Sequence, residues 1–278
     1  MARCFTIGLS GESGKRLGGA SPAEPTGCQR AARARRIVWR CLALAAASLL
    51  AADAVPRPAP VLWAWERPED LRFAGPDVAI AVLAGTITLS GDRVLAEGRR
   101  QPLSARPDQR RIAVVHVELD RHAVLAWSPA LRDQAAAAAL AFAGDVAAAG
   151  IQLDFEVRES ERSVLLDLLK ALRARLGPER FLSMTALASW CDTEHWIAAA
   201  PVDEIVPMLF RMGPGGARLR QRLEAGGDFR EQRCRGAVGI ATDQPPVRLP
   251  PGRRVYVYNP HRWQQADLSA ILQEASLW

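Results

Sequence analysis

Asp154 and Glu156 stand two residues apart in AGIQLDFEV, a segment in which apolar and polar residues alternate strictly. Successive side chains of a strand point to opposite faces. Ile151, Leu153, Phe155 and Val157 therefore share one face, and Gln152, Asp154 and Glu156 the other. Two partly desolvated carboxylates close together do not ionise independently. One is expected to hold its proton to higher pH and act as a general acid, with the other as its charged neighbour. Cleavage of an acetal bond between sugars uses such a pair, about 5 Å apart for retention and roughly 6.5–9.5 Å for inversion. Same-face neighbours on one strand are about 6–7 Å apart, so the spacing does not choose between them. The alternative is a strand with one solvated face, its acids paired with nearby arginines.

Other residues extend the list. Trp65 and Trp190 fall at or just past strand ends, where indole rings stack on sugar faces or pack under loops. Trp127 and Trp263 are weaker examples of the same placement. His116 and Glu118 share a strand face and Glu66 ends another strand; any of them could supply a base or a second carboxylate. Arg211 could pair with Glu156, bind an anionic sugar, or serve as counter-ion to Asp203 or Glu204. Tyr258 and Asn259 could hydrogen-bond a ligand, and Gln152 lies on the same face as the two acids. No C-x-x-C or His/Cys cluster suggests a zinc site, and neither a metal nor a cofactor is expected. The GESGK segment lacks the glycine spacing of a P-loop.

These residues are carried by short apolar runs separated by helical stretches. Strands are expected at Val61–Trp65, Val78–Leu83, Ile112–Glu118, Ile151–Glu156, Leu182–Ala188, Ile205–Phe210, Ala237–Ala241 and Val255–Tyr258. Ser128-Pro129 reads as a cap and first turn opening an Ala-rich helix. Leu165, Leu168, Leu169, Leu172 and Leu176 form a helical stripe stopped by Gly177-Pro178. Shorter helices are expected at 192–199, 215–225 and 263–275. Eight strands with helical crossovers fit a (β/α)8 TIM-like barrel. The second connection, TITLSGDRVLAEGRR, reads instead as a hairpin, so the barrel is expected to be irregular there. An open doubly wound sheet is the competing architecture, although no GxGxxG follows an early strand.

The formal charge of +6 is unevenly spread. Residues 1–60 hold nine basic residues against three acidic ones, and the remainder is balanced. A basic nucleic-acid-binding domain is thereby disfavoured. RAARARR at 30–36 precedes the uncharged run Cys41–Ala52, followed by Ala52-Asp53-Ala54. Twelve apolar residues are too few to span a bilayer, which needs roughly 20, and suit a signal-peptide core. The expectation is a leader over 1–54, a Pro-rich spacer at 55–60, and one exported domain at 61–278 with no stable membrane span. Its destination would be periplasmic or extracellular. Cys191 and Cys234, the cysteines left in that domain, are a possible disulfide.

AGIQLDFE resembles the DGIDIDWE strand of family 18 glycoside hydrolases, the chitinase-like barrels. The resemblance implies that Glu156 is the general acid and Asp154 its positioning partner; Ala149 and Gln152 replace the motif's other acids. The family's strand-six Met-x-Tyr-Asp meets Met208-Leu209-Phe210-Arg211, so the hydroxyl and carboxylate that hold an acetamido group are missing. A longer resemblance spans the domain. VLWAWERPEDLRF, AVLAGTI, LSMTALASWC, PVDEIVPMLFRMG and VYVYNP are similar to the bacterial domain of unknown function 3142, which implies an exported barrel and assigns no activity. Two functions follow as expectations. One is a carbohydrate-active barrel that hydrolyses glycosidic bonds through Glu156. The other is a non-catalytic barrel binding a cell-envelope polysaccharide or protein.

Overall fold

The computed structural model describes residues 58–275 apart from 246 and 248. The expected leader lies outside the described residues. Eight parallel strands close on themselves: β1 (Val61–Ala64), β2 (Ala79–Ser90), β3 (Arg111–Leu119), β4 (Gly150–Asp154), β5 (Phe181–Leu187), β6 (Glu204–Met208), β7 (Ala237–Ala241) and β8 (Arg254–Tyr258). Each pairs with the next, and β8 returns to β1 through Val61 opposite Tyr256. The chain is therefore a (β/α)8 barrel with irregular connections, and the doubly wound alternative is excluded.

The irregular second connection is a hairpin. β2 runs on to Ser90, seven residues past its expected end, because Arg93–Gly98 pairs with it antiparallel. β3 stays in register alongside it as far as Leu89 opposite Leu119. A short parallel ribbon, Glu69–Asp70 with Leu103–Ser104, joins the first connection, which carries no helix among the described residues, to the end of the second. Helices follow the middle strands. α1 (Pro129–Asp145) starts at Ser128, whose Oγ accepts from the Leu131 amide. α2 (Arg162–Leu176) buries all five leucines of its stripe and stops at Gly177, whose φ of +72° suits glycine. The expected helix at 192–199 is split into α3 (Trp190–Thr193) and a 3-10 turn (His195–Ala199). α4 (Gly216–Glu224) and α5 (Gln265–Ala275) complete the set.

Alternation sorts the core into two shells. Val61, Trp63, Leu83, Ile112, Val114, Val206, Met208 and Tyr256 fill the barrel interior. Ile151, Leu153, Leu182, Met184 and Ile205 face outward onto α1 and α2. Gly239 on β7 sits opposite Trp63: a Cβ there would fall 2.7 Å from the indole ring, so the large side chain needs the small one. Cys191 on α3 and Cys234 in the turn Gln232–Arg235 are joined by a disulfide, their Cα atoms 5.9 Å apart.

Candidate active site

Parallel strands bring all their carboxyl ends to one mouth, where barrels of this kind carry their sites. A cleft of about 550 Å³ opens there, within the usual range of roughly 300–1,000 Å³ for ligand pockets. Buried Trp63, Asp154, Thr185 and Met208 form its base. Trp65, Phe210 and Tyr258 are its aromatic wall, and His116, Glu118, Arg121, Glu156 and Arg211 supply charge.

The polar face of β4 points inward, but its three groups do different things. Gln152 is fully buried beneath the cleft. Its Oε1 accepts from Trp63 Nε1 at 2.7 Å and its Nε2 donates to Ser183 Oγ at 3.2 Å. It is a strut inside the barrel and does not line the cleft, which corrects its expected place against substrate. Asp154 sits one layer higher. Thr185 Oγ1 donates to its Oδ1 at 2.5 Å, and His116 Nδ1 lies 2.8 Å from its Oδ2. Glu156 falls just beyond the end of β4 rather than within it. Both its oxygens accept from Arg211, from Nε at 2.8 Å and Nη2 at 2.7 Å.

The two acids are therefore not paired with each other, and Glu156 matches the alternative reading in which an acid of this face is held by an arginine. Each has its own basic partner, because His116 and Arg211 project into the cleft on either side. Asp203 and Glu204, the other candidate partners of Arg211, are taken by Arg173 and Arg254. The pair remains open to solvent, with the Glu156 side chain 34% and that of Arg211 56% exposed.

His116 links two carboxylates. Its Nε2 lies 3.1 Å from Glu118 Oε1, so Glu118, His116, Asp154 and Thr185 form a continuous chain across β3, β4 and β5. Burial alone would push the imidazole pKa down, but Asp154 and Glu118 outweigh it and raise it above 6.5. Trp65 stands edge-on to both His116 and Tyr258, with ring centroids 5.9 and 6.3 Å away. Tyr258 stacks on Phe210 at 5.4 Å.

Five further candidates lie away from the cleft. Trp190 is buried outside the barrel, edge-on to Trp196 at 5.1 Å, because the chain turns at Ala188–Ser189 and folds α3 back onto the outer core. Asn259 is buried away from the cleft, where it donates to Asp267 and accepts from Thr242 and the His261 amide. Glu66 accepts from the amides of Arg100 and Gln101 and so ties down a loop. Trp263 likewise is buried, donating to the Trp63 carbonyl. Trp127 packs against the outer core.

Thr185, Trp63 and Arg121 line the cleft without having been anticipated as site residues. Alternation in LSMTALA does carry a signal for Thr185, since Ser183 and Thr185 occupy the inward positions. Arg121 lies beyond the end of β3, where alternation no longer informs, and it ion-pairs with Glu161. Among the described residues no cluster of His, Cys, Asp and Glu is arranged to hold a metal.

No family model matches the chain, and no curated protein matches it. The resemblance to domain of unknown function 3142 thus gains no support from those comparisons. Solved structures similar to it include a GH18 chitinase from Pseudoalteromonas aurantia, at 9% identity and a TM-score of 0.49, covering 78% of this chain and 100% of that one. A family GH18 chitinase from Chromobacterium violaceum is similar at 13% identity and a TM-score of 0.45, covering 73% and 78% respectively.

Proposed function

We propose that the cleft binds carbohydrate and that the protein is a glycoside hydrolase-like barrel with Glu156 as general acid. The observation that carries this reading is the convergence of Asp154, Glu156, Trp65 and Tyr258 on one open cleft at the carboxyl mouth. Aromatic rings offer apolar faces to sugar rings, while the acids and His116 meet hydroxyls. In the hydrolytic step Glu156, protonated, gives its proton to the glycosidic oxygen as the C–O bond breaks. Water adds its hydroxyl to the anomeric carbon, and its remaining proton passes to a base. Glu118, linked through His116 to Asp154, is the base candidate. Asp154, held by Thr185 and His116, is a positioning residue. Export of the domain at 61–278 after removal of a leader ending near Ala54 belongs to the same proposal. RAARARR and the apolar run after it support that part. Among the described residues no helix is long and apolar enough to cross a membrane.

One observation favours a second reading, in which the barrel binds without turnover. Arg211 occupies both oxygens of Glu156, so the acid has to leave that pair before it can donate a proton. Affinity electrophoresis of the full chain through gels containing β-linked polysaccharides tests the shared part. Wild type is expected to be retarded by at least one polysaccharide, and Trp65→Ala to migrate freely. Migration of wild type without retardation in every gel would remove the carbohydrate reading.

A further inference from the structure

The Glu156–Arg211 pair is a fork-on-fork match, with two parallel N–H···O contacts between a planar guanidinium and a carboxylate. It lies on the surface of the cleft rather than beneath it, and Arg211 is the more exposed partner. Arg121 adds a second guanidinium to the same lining. A neutral sugar entering here has no anion to offer Arg211 and gains nothing from the exposed guanidinium's charge. A sugar that carries its own carboxylate replaces Glu156 on Arg211 with the same charge and the same planar geometry. The exchanged Glu156 then stands free at the cleft, without a cation across both oxygens. His116, between Asp154 and Glu118, offsets part of the charge of those two acids when it is protonated.

We propose that the cleft takes acidic glycans, chains containing uronic acid residues, and that Arg211 selects them by exchanging Glu156 for the ligand carboxylate. This inference rests on the carbohydrate reading of the cleft and names the substrate class within it.

The test is calorimetric titration of the full chain with oligogalacturonate, oligoguluronate and hyaluronan oligosaccharides. Each is compared with its own methyl ester, and neutral cello-, xylo- and chito-oligosaccharides are included. At least one acid is expected to bind, with its methyl ester weaker by roughly 10- to 100-fold, the range for loss of a charged hydrogen-bonded pair. Arg211→Gln should lower affinity for that acid to the level of the ester. Glu156→Gln should tighten binding of the acid, since Arg211 no longer has a carboxylate to release. The second variant keeps the question open to test even where Arg211→Gln fails to fold. Acids and esters of equal affinity, or acid binding unchanged in Glu156→Gln, would overturn the exchange while leaving the carbohydrate reading in place. No binding of any acidic, esterified or neutral oligosaccharide would overturn both.

Discussion

At the scale of single residues, the site is organised by which base each acid meets. Asp154 is fixed from two sides by Thr185 and His116, whereas Glu156 is held only by an exposed guanidinium. The first arrangement suits a residue that positions its neighbours, the second one that must move. His116 gives the most direct reading of the local field. Burial pushes its pKa down and the flanking Asp154 and Glu118 push it up further, so the folded-state value lies above 6.5. NMR titration should find the His116 midpoint above that value. Asp154→Asn should lower it more than Glu118→Gln, because Asp154 supplies the stronger interaction. The linkage follows with its sign. A raised imidazole pKa adds stability that is fully present below about pH 6.5 and is lost as pH rises through the folded-state value. A midpoint at or below 6.5 in wild type would show that the two carboxylates do not outweigh burial of the ring.

At the scale of elements, the barrel depends on a few places where a small residue admits a large one. Gly85 lies at the register shift in β2, where α1 packs over the hairpin. A Cβ there would fall 2.5 Å from the Phe142 ring. Gly85→Ala should therefore destabilise the protein by about 1–3 kcal/mol, the usual cost of overpacking. Phe142→Leu added to it should recover part of the loss, as read by the midpoint of urea unfolding. An unchanged midpoint in Gly85→Ala would contradict the packing described. All eight barrel strands were legible from alternation and short apolar runs, because inward and outward positions differ in chemistry along each strand. The hairpin was legible from its turn residues. The point at which a strand stops was not. Glu156 reads as part of β4, yet the ladder to β3 ends with His116 opposite Asp154. The same limit explains Trp190 and Asn259. Beyond a strand end, the following turn decides whether a side chain faces the mouth or the outer shell, and alternation has no hold on it. Gln152 was placed on the correct face but in the wrong layer, since depth along the barrel axis depends on stagger between strands.

At the scale of the whole molecule, the loops after β5 and before β7 are tied together by Cys191–Cys234, which closes a sequence separation of 43 residues. On the loop-entropy account this contributes about 4 kcal/mol, so reduction or a double Cys→Ser variant should lower the unfolding midpoint in denaturant. A midpoint insensitive to reductant would show that the bridge does not constrain the unfolded chain. The formal excess of positive charge lies in residues 1–60, which leaves residues 61–278 balanced. Amino-terminal sequencing of protein recovered outside the cytoplasm should begin near Val55; a chain still starting at Ala2 would contradict removal of the leader. The function rests finally on whether Glu156 delivers a proton to a glycosidic bond. The decisive measurement is the release of new reducing ends from a panel of β-linked neutral and uronic acid-containing polysaccharides, by wild type and by Glu156→Gln. The expected result is turnover of at least one polysaccharide by wild type and a fall of roughly 10²–10⁴-fold in Glu156→Gln, the range for loss of a general acid. Polysaccharide binding by both proteins with no reducing ends released by either would contradict catalysis and leave a binding barrel.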